Sequence, residues 1–257
     1  SFHVTGVQTC ALPISLTLDG TSAQTVSAAI TASEDKKGSV TVSNTAGTVT
    51  FSSAVGVAST SKAIDALTLN ASTTTVFDAA VGANTLSASG AMTIKGAVIL
   101  DSTLTTGNGS TITLGSAFVN GGAVAITAAD STGFLNQTAG AVTVNMSNQF
   151  TTGTVVLLEN TTPLDANDLA AFTVTDTALV DYTLASATGT AALSQITITA
   201  AKRTTAGIAT YLGMSTAQSA ALGQISAAVA SGDATASTAL DTVLVAGGAT
   251  AKNAVEQ

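Results

Sequence analysis

Acidic side chains are the residues of this sequence that could do chemistry, because its only histidine is His3 and its only cysteine is Cys10. Two carboxylates that face one substrate can hydrolyse a glycosidic bond. The candidate acids lie near predicted strand ends or turns and are Asp78, Asp101, Asp130 and Glu159. They are scattered singly, so we interpret them as solvated turn acids. We therefore predict no catalytic residues and no enzyme activity.

Two further motifs could bind a ligand, and we interpret both as structural. Asp165 and Asp168 lie three residues apart and could meet on one helical turn. We expect a capping arrangement there rather than a calcium site, because no Gly-Gly-x-Gly-x-Asp repeat occurs. The segment Gly107-Asn-Gly109 is predicted to be a turn, because neither a helix nor a lysine follows it to cradle a phosphate. The sequence thus predicts no metal and no cofactor, and it identifies no binding residues.

The stretch Val4–Ile14 reads Val-Thr-Gly-Val-Gln-Thr-Cys-Ala-Leu-Pro-Ile, which resembles the in-frame translation of a common sequencing adapter. We therefore predict that residues 1–14 are foreign and that the natural sequence begins near Ser15. In that case the true N-terminus of the protein is missing. On this interpretation His3 and Cys10 do not belong to the protein. That excludes Ser-His-Asp and Cys-His catalysis, and the histidine or cysteine sites that zinc prefers.

Charge is scarce in this chain: charged residues make up 9% of it, and the net charge is -8. Its two adjacent basic pairs are Lys36-Lys37 and Lys202-Arg203, which we interpret as solvated turns. Nucleic-acid phosphates need clustered lysine or arginine, so we predict no nucleic-acid partner. Apolar residues are dispersed, with no run of about 18 that would form a transmembrane helix.

Short strands with alternating apolar and small polar residues dominate residues 15–160, as in Thr111-Ile-Thr-Leu114 and Val142-Thr-Val144. The motif Phe51-Ser-Ser-Ala-Val-Gly56 is echoed further along the chain by Phe77-Asp-Ala-Ala-Val-Gly82. The spacing of the two motifs suits one coil of a β-solenoid, whose narrow interior takes aliphatic residues and an occasional phenylalanine. We predict a right-handed parallel β-helix of about six coils over residues 15–160, with phenylalanines stacked inside and threonines outside.

The pattern changes after residue 160. Three strands are predicted to form an antiparallel cap over residues 161–203, and they are Phe172–Thr175, Asp181–Leu184 and Gln195–Thr199. From residue 204 to residue 257 the apolar period becomes helical, and Ser215 with Gln218 fits a capping box. We predict short helices throughout this last segment.

The order of solenoid strands, antiparallel cap and terminal helices resembles the C-terminal part of a bacterial autotransporter passenger (type V secretion). It is most similar to the large adhesin-like surface antigens of alphaproteobacteria. The segments that carry the resemblance are Ala66–Ala71, Ala80–Leu86, Gly133–Val144, Asp181–Leu184, Ile196–Ala200 and Thr238–Gln257.

The resemblance implies a non-enzymatic rod that is exported to the cell surface and serves adhesion or display. Its partners would be its own outer-membrane β-barrel, encoded downstream, and a receptor on a host or neighbouring cell. The cap would act as a folding nucleus after export. No receptor-binding residue carries over, and no small-molecule substrate is implied.

Three alternatives stay open. A surface-layer protein or giant repetitive adhesin would share the strands but lack a downstream barrel. A β-helical polysaccharide-degrading enzyme would need acids or arginines clustered on one face of adjacent coils. A phage fibre protein would share the elongated strand architecture.

Overall fold

The structure is a computed structural model. It describes residues 3–4, 15–56, 62–70, 73–107, 109–118, 124–128, 142–146, 153–161, 163–164, 166–177, 180–188 and 194–231. Strands predominate, and helices are found mainly towards the C-terminal end of this part. None of the described helices has the length and apolar character needed to span a membrane.

The secondary-structure elements are short. The strands are β1 (His3–Val4), β2 (Ser15–Leu18), β3 (Gln24–Val26), β4 (Ser39–Val42), β5 (Val49–Phe51), β6 (Ile64–Leu69), β7 (Thr74–Phe77), β8 (Val81–Ala88), β9 (Ala91–Ile94), β10 (Val98–Leu100), β11 (Leu104–Thr106), β12 (Ser110–Leu114), β13 (Ile126–Ala128), β14 (Val142–Met146), β15 (Gly153–Asn160), β16 (Phe172–Val174), β17 (Val180–Thr188) and β18 (Ser194–Lys202). The helices are α1 (Ala166–Ala170), α2 (Thr205–Tyr211) and α3 (Thr216–Ala230), with a 3-10 turn at Ser116–Phe118.

The strands form two sheets, and successive strands mostly alternate between them. The first sheet has the order β1-β3-β5-β7-β9-β12-β14-β16. The second has the order β2-β4-β6-β8-β10-β13-β15-β18-β17, and β11 also pairs with β8. Pairs with a defined register run parallel from β1 to β16. The prediction of a strand-rich fold with parallel sheets is therefore confirmed.

Paired residues keep their register although the chain between them varies in length. Phe77 pairs with Ile94, whereas Ile126 pairs with Leu158, which lies nearly twice as far along the chain from its partner. The predicted echo corresponds to a direct pair, since Phe51 lies opposite Phe77 on the neighbouring strand. The connections between strands, rather than the strands, therefore absorb the variation in repeat length.

The buried side of the first sheet carries a column of large apolar side chains. Phe51 and Phe77 are each 1% exposed, and their rings stack with centroids 5.3 Å apart and an angle of 13° between the planes. Phe118 and Phe172 are also buried, which confirms the prediction that these phenylalanines are interior residues. Two more predicted members of this set, Phe134 and Phe150, lie outside the described residues.

A second buried column contains a polar side chain. Thr75 lies opposite Val49 on one neighbouring strand and Met92 on the other, and it is 1% exposed. Its hydroxyl makes no hydrogen bond in the described part of the chain. A buried hydroxyl without a partner loses its hydration and gains nothing in return.

We expect Thr75→Val to raise the free energy of unfolding by about 1–2 kcal/mol, because it replaces the unbonded hydroxyl with a methyl group of similar size. Equilibrium denaturant unfolding measures the change. Thr50→Val, at a partly exposed position on the adjacent strand, is the control and should stay within about 0.5 kcal/mol of wild type. A loss of stability in Thr75→Val would show that this hydroxyl has a partner.

Residues 161–203 differ in part from the predicted cap. The segment Phe172–Thr175 was expected to begin the antiparallel cap, but β16 pairs parallel with β14 and belongs to the first sheet. Alternation predicts a strand but not its partner, which is why this assignment was wrong. Strands β17 and β18 do neighbour each other in the second sheet, next to β15. Their short connection, from Thr188 to Ser194, permits only antiparallel pairing.

The chain divides into two compact units. One comprises residues 1–149, 153–175 and 183–199, and the other comprises residues 150–152, 176–182 and 200–257. The second unit contains α2 and α3. Ser215 N donates to Gln218 Oε1 (2.7 Å), and Gln218 N donates to Ser215 Oγ (3.3 Å), which confirms the predicted capping box. The helices predicted beyond residue 231 lie outside the described residues.

Candidate functional site

The candidate acids that are described each have a separate partner. Asp78 Oδ1 accepts a hydrogen bond from Lys95 Nζ at 2.6 Å, and Asp101 Oδ2 lies 3.6 Å from Lys36 Nζ. Glu159 Oε2 accepts from Gln195 Nε2 at 2.6 Å. These are contacts at turns and strand edges, with the ion pairs well exposed to solvent. The fourth candidate, Asp130, lies outside the described residues.

The two proposed ligand motifs have different outcomes. Ser110 N donates to Gly107 O (3.1 Å) across the segment predicted as a turn, and Asn108 lies outside the described residues. Asp168 lies in α1 and is 1% exposed, whereas its predicted companion Asp165 is outside the described residues. Within the described ranges, no three histidine, cysteine, aspartate or glutamate side chains come together as a metal site would require.

Arg203 departs from the sequence interpretation. It was expected to lie in a solvated turn, but its side chain is only 12% exposed. Its Nη2 lies 3.0 Å from Asp176 Oδ2 and 2.6 Å from Asp181 Oδ1, and its Nε donates to Thr177 O at 3.0 Å. The guanidinium carbon lies 4.5 Å from the centre of the Tyr211 ring. The expectation of a solvated turn was therefore wrong for this residue.

These residues form what we call the Arg203 cluster: Asp176, Thr177, Asp181, Tyr182, Arg203 and Tyr211. Tyr211 Oη donates to Asp176 O at 3.0 Å, and Tyr182 N donates to Asp176 Oδ1 at 2.8 Å. One guanidinium thus joins the segment before β17, the end of β18 and helix α2 within the second unit. Its planar fork holds the bonds to Asp181, Asp176 and Thr177 in one fixed geometry while the guanidinium lies over the Tyr211 ring, a combination that the ammonium of lysine cannot reproduce. The cluster acts as a structural clamp.

We expect Arg203→Lys to lower the free energy of unfolding by about 1–2 kcal/mol, because a lysine cannot keep the carboxylate bonds, the bond to Thr177 O and the contact with the Tyr211 ring at the same time. This figure is kept low because both acids are partly exposed and solvent screens them. Denaturant unfolding measures it, and amide hydrogen exchange at Tyr182 should quicken. Lys202→Gln, at the exposed neighbour, should leave both unchanged. Equal effects of the two changes would contradict the clamp.

The cluster also predicts a loss of stability at alkaline pH. Burial, and then the negative charge of Asp176, raise the pKa of Tyr182 above its ordinary value of 10.0. A raised pKa means that the folded state holds the phenolic proton more tightly than the unfolded state. The stability that Tyr182 contributes is therefore fully present below pH 10, and it is lost as the pH rises through the pKa of the folded state. Unfolding measured across this range should show that slope, and Tyr182→Phe should reduce it.

Two rows of outward residues on the exposed side of the first sheet carry mostly hydroxyl groups. On strands β5, β7, β9, β12, β14 and β16 and their flanking residues, the outward positions hold threonines 48, 50, 74, 93, 111, 113, 143, 173 and 175. The other residues of these two rows are Val76, Ala91 and Asn145, and the next outward positions after β5, β7 and β9 are Ser52, Asp78 and Lys95. We call the twelve residues of the two rows the threonine face. All are partly or fully exposed, and none is charged.

Threonine lies opposite threonine on several neighbouring strands of this face. Thr93 pairs with Thr113, Thr111 pairs with Thr143, and Thr143 pairs with Thr173. The comparable surface of the second sheet carries Thr17, Thr41 and Thr68 in one line. The sequence predicted outward threonines, and the structure adds that they are in register.

Comparison with protein-family models, with curated proteins and with solved structures finds no match. The candidate sites are accordingly judged on their own geometry. The Arg203 cluster directs its donors inward and holds its own segment together. The threonine face directs its hydroxyls outward, so it is the better candidate for contact with another substance.

Proposed function

We propose that this chain is part of a non-enzymatic rod on a bacterial surface, namely the C-terminal part of an autotransporter passenger folded as a right-handed parallel β-helix. The observation that carries the proposal is the alternation of successive strands between two parallel sheets. Such alternation is how a chain winds into coils that stack along one axis. Right-handedness follows from the strong preference of parallel strand connections for that hand.

The interior supports a structural role. A stack of coils gains stability from continuous columns of buried side chains, and Phe51, Phe77 and Ile94 form such a column. Hydrogen bonds between neighbouring strands link each coil to the next, so the rod needs no thick globular core. A weakly charged rod with little cysteine suits display outside the cell.

The C-terminal end supports the same proposal. Strands β18 and β17 extend the second sheet beyond β15, where an uncovered strand would expose its N–H and C=O groups. Helices α2 and α3 follow this hairpin. In an autotransporter, a capping region and a short linking segment precede the membrane barrel, which would be the partner of this chain.

The chemistry of the acids also fits a non-enzymatic role. Asp78 hydrogen-bonds to a lysine, Asp101 forms an ion pair with a lysine, and Glu159 hydrogen-bonds to a glutamine, so each described candidate has a structural partner. A polysaccharide-degrading β-helix would instead need two carboxylates facing the same substrate. Adhesion or display is therefore the activity we propose.

Long-read sequencing across both ends of the gene tests the proposal. We expect further coil-like repeats upstream, and downstream a series of roughly 10-residue segments with alternating hydrophobicity that encode an outer-membrane barrel. A stop codon or more strand repeats directly after Gln257 would instead support a surface-layer protein or giant adhesin. Recovery of the codons for Val4–Ile14 in the same read would refute the adapter interpretation.

Export can be tested on the source cells with antibodies against the purified chain. The proposal expects intact cells to bind the antibody and to lose the signal after brief external protease treatment. A signal that appears only after the cells are broken open would overturn surface display.

A further inference from the structure

We propose that the threonine face binds ice. The inference concerns the purified chain and does not depend on how the protein is exported or anchored. It rests on three properties of the face: its two-dimensional regularity, the chemistry of its side chains and its lack of charge.

The regularity follows from the register of the first sheet. Neighbouring strands lie about 4.7–4.9 Å apart, and residues two apart on one strand are about 6.6 Å apart. Thr111 and Thr113 share one strand, and both have direct partners on the strands at either side. The threonines therefore occupy points of a nearly rectangular net. Oxygen rows on the surface of hexagonal ice repeat at similar distances in two perpendicular directions.

The side chains suit an ordered water lattice. Threonine is stiff about its first side-chain bond, so equivalent residues of a ladder tend to share one orientation. Each presents a methyl group and a hydroxyl that can both donate and accept. In the described part of the chain, Thr173 is the member of the face whose hydroxyl bonds to protein, with Oγ1 3.4 Å from Val142 O. The other hydroxyls are available to take the places of lattice water.

The charge distribution sets this face apart from an ordinary protein surface. A typical soluble surface is about 25–35% charged residues, and the threonine face has none. Asp78 and Lys95 occupy the next outward positions, at the ends of β7 and β9, where their opposite charges pair at 2.6 Å. A charged side chain holds its own mobile hydration shell, so its absence leaves the face free to order water. β-Propensity alone accounts for threonine in strands but not for its alignment over six of them.

A second copy of the chain is a less suitable occupant. Six strands of about 4.8 Å spacing and about 10 Å of width cover about 300 Å² per partner, or about 600 Å² in a dimer. Stable protein interfaces bury at least about 1,200 Å². Growing ice has no such limit, because each adsorbed molecule is overgrown and retained at the advancing surface.

Ice-affinity partition of the full chain tests the proposal. A slowly growing ice hemisphere is formed in a dilute solution, and the protein concentration in the ice is compared with that in the liquid. The ice fraction should be enriched over that of serum albumin, and thermal hysteresis should accompany it. Thr113→Lys, at the centre of the face, should abolish both, because a long charged side chain lifts the face from the lattice.

Three controls make the result decisive. Thr210→Lys places the same charge on an exposed position of α2 and should leave the enrichment unchanged. Thr68→Lys alters the second sheet and should also leave it unchanged. Circular dichroism establishes that each variant is folded, and Thr113→Val replaces Thr113→Lys if the latter is not.

The proposal is overturned if the wild-type chain is excluded from ice like albumin. It is equally overturned if Thr113→Lys binds as well as wild type, or if only Thr68→Lys loses binding. Sedimentation of wild type as a dimer that Thr113→Lys converts to a monomer, without enrichment in ice, would assign the face to self-association instead.

Discussion

Phe77→Ala is expected to lower the free energy of unfolding by about 3–5 kcal/mol, because it removes a large ring from the buried side of the first sheet. Phe77 is 1% exposed, and its ring lies against Phe51 of the neighbouring strand at 5.3 Å. Truncation would leave a cavity between strands whose backbones are fixed by hydrogen bonds, so the surroundings can close only partly. Equilibrium denaturant unfolding measures the loss.

A double-mutant cycle separates the ring contact from simple burial. Phe51→Leu and Phe77→Leu keep most of the apolar volume, and the coupling between them should be about 0.5–1.5 kcal/mol. Phe172 is also buried, but in a different part of the first sheet. The loss of free energy of unfolding in Phe172→Leu should therefore add independently to the loss in Phe51→Leu. Coupling as large between Phe51 and Phe172 as between Phe51 and Phe77 would contradict the described stacking.

Gly56→Ala is expected to lower the free energy of unfolding by about 3 kcal/mol or more, because two independent penalties combine at this residue. Its φ of 67° lies in the left-handed region, where a side chain costs about 1–2 kcal/mol. A Cβ placed there would also come to 1.9 Å from Gly82 O, far inside contact distance. The clashing oxygen belongs to the backbone of β8, and Gly82 N donates to Val55 O at 2.7 Å, so relief of the clash requires the backbone to move.

Two other glycines isolate these penalties. Gly109 has a φ of 82°, but a Cβ there would meet no atom within 4 Å, so Gly109→Ala should cost only the conformational term. Gly96 lacks a positive φ, but its Cβ would lie 2.3 Å from Ala79 C, so Gly96→Ala should show the steric term. In urea unfolding, Gly56→Ala should have a lower free energy of unfolding than either Gly109→Ala or Gly96→Ala. If Gly56→Ala is no worse than Gly109→Ala, the close approach to Gly82 is refuted.

The sequence predicts the strands of this protein better than their partners. Alternation of apolar and small residues marked the strands, and the Phe51–Phe77 echo identified a true neighbouring pair. The segment Phe172–Thr175 was misassigned because a strand that joins a parallel sheet and one that begins a hairpin share the same period. Pairing depends on where the rest of the chain runs, which periodicity does not record.

The candidate sites show a similar limit. The outward threonines were predicted, but their alignment depends on register, and register persists while the number of intervening residues varies. Arg203 was misread because an adjacent basic pair has the same appearance in a turn and in a cluster. Its partner Asp176 lies 27 residues away, too far for a local pattern to connect them.

The variable connections have a consequence for how the protein can change. The stretch of chain between Ile126 and its partner Leu158 is nearly double that between Phe77 and Ile94, yet the ladders remain aligned. Doubling the length of a flexible connection costs only about 0.6 kcal/mol of loop-closure entropy. Insertions between strands should therefore be nearly neutral for folding, so this architecture can gain and lose surface segments while its interior stays the same. Such a chain is suited to carry interchangeable peptide segments, in evolution as well as in engineering.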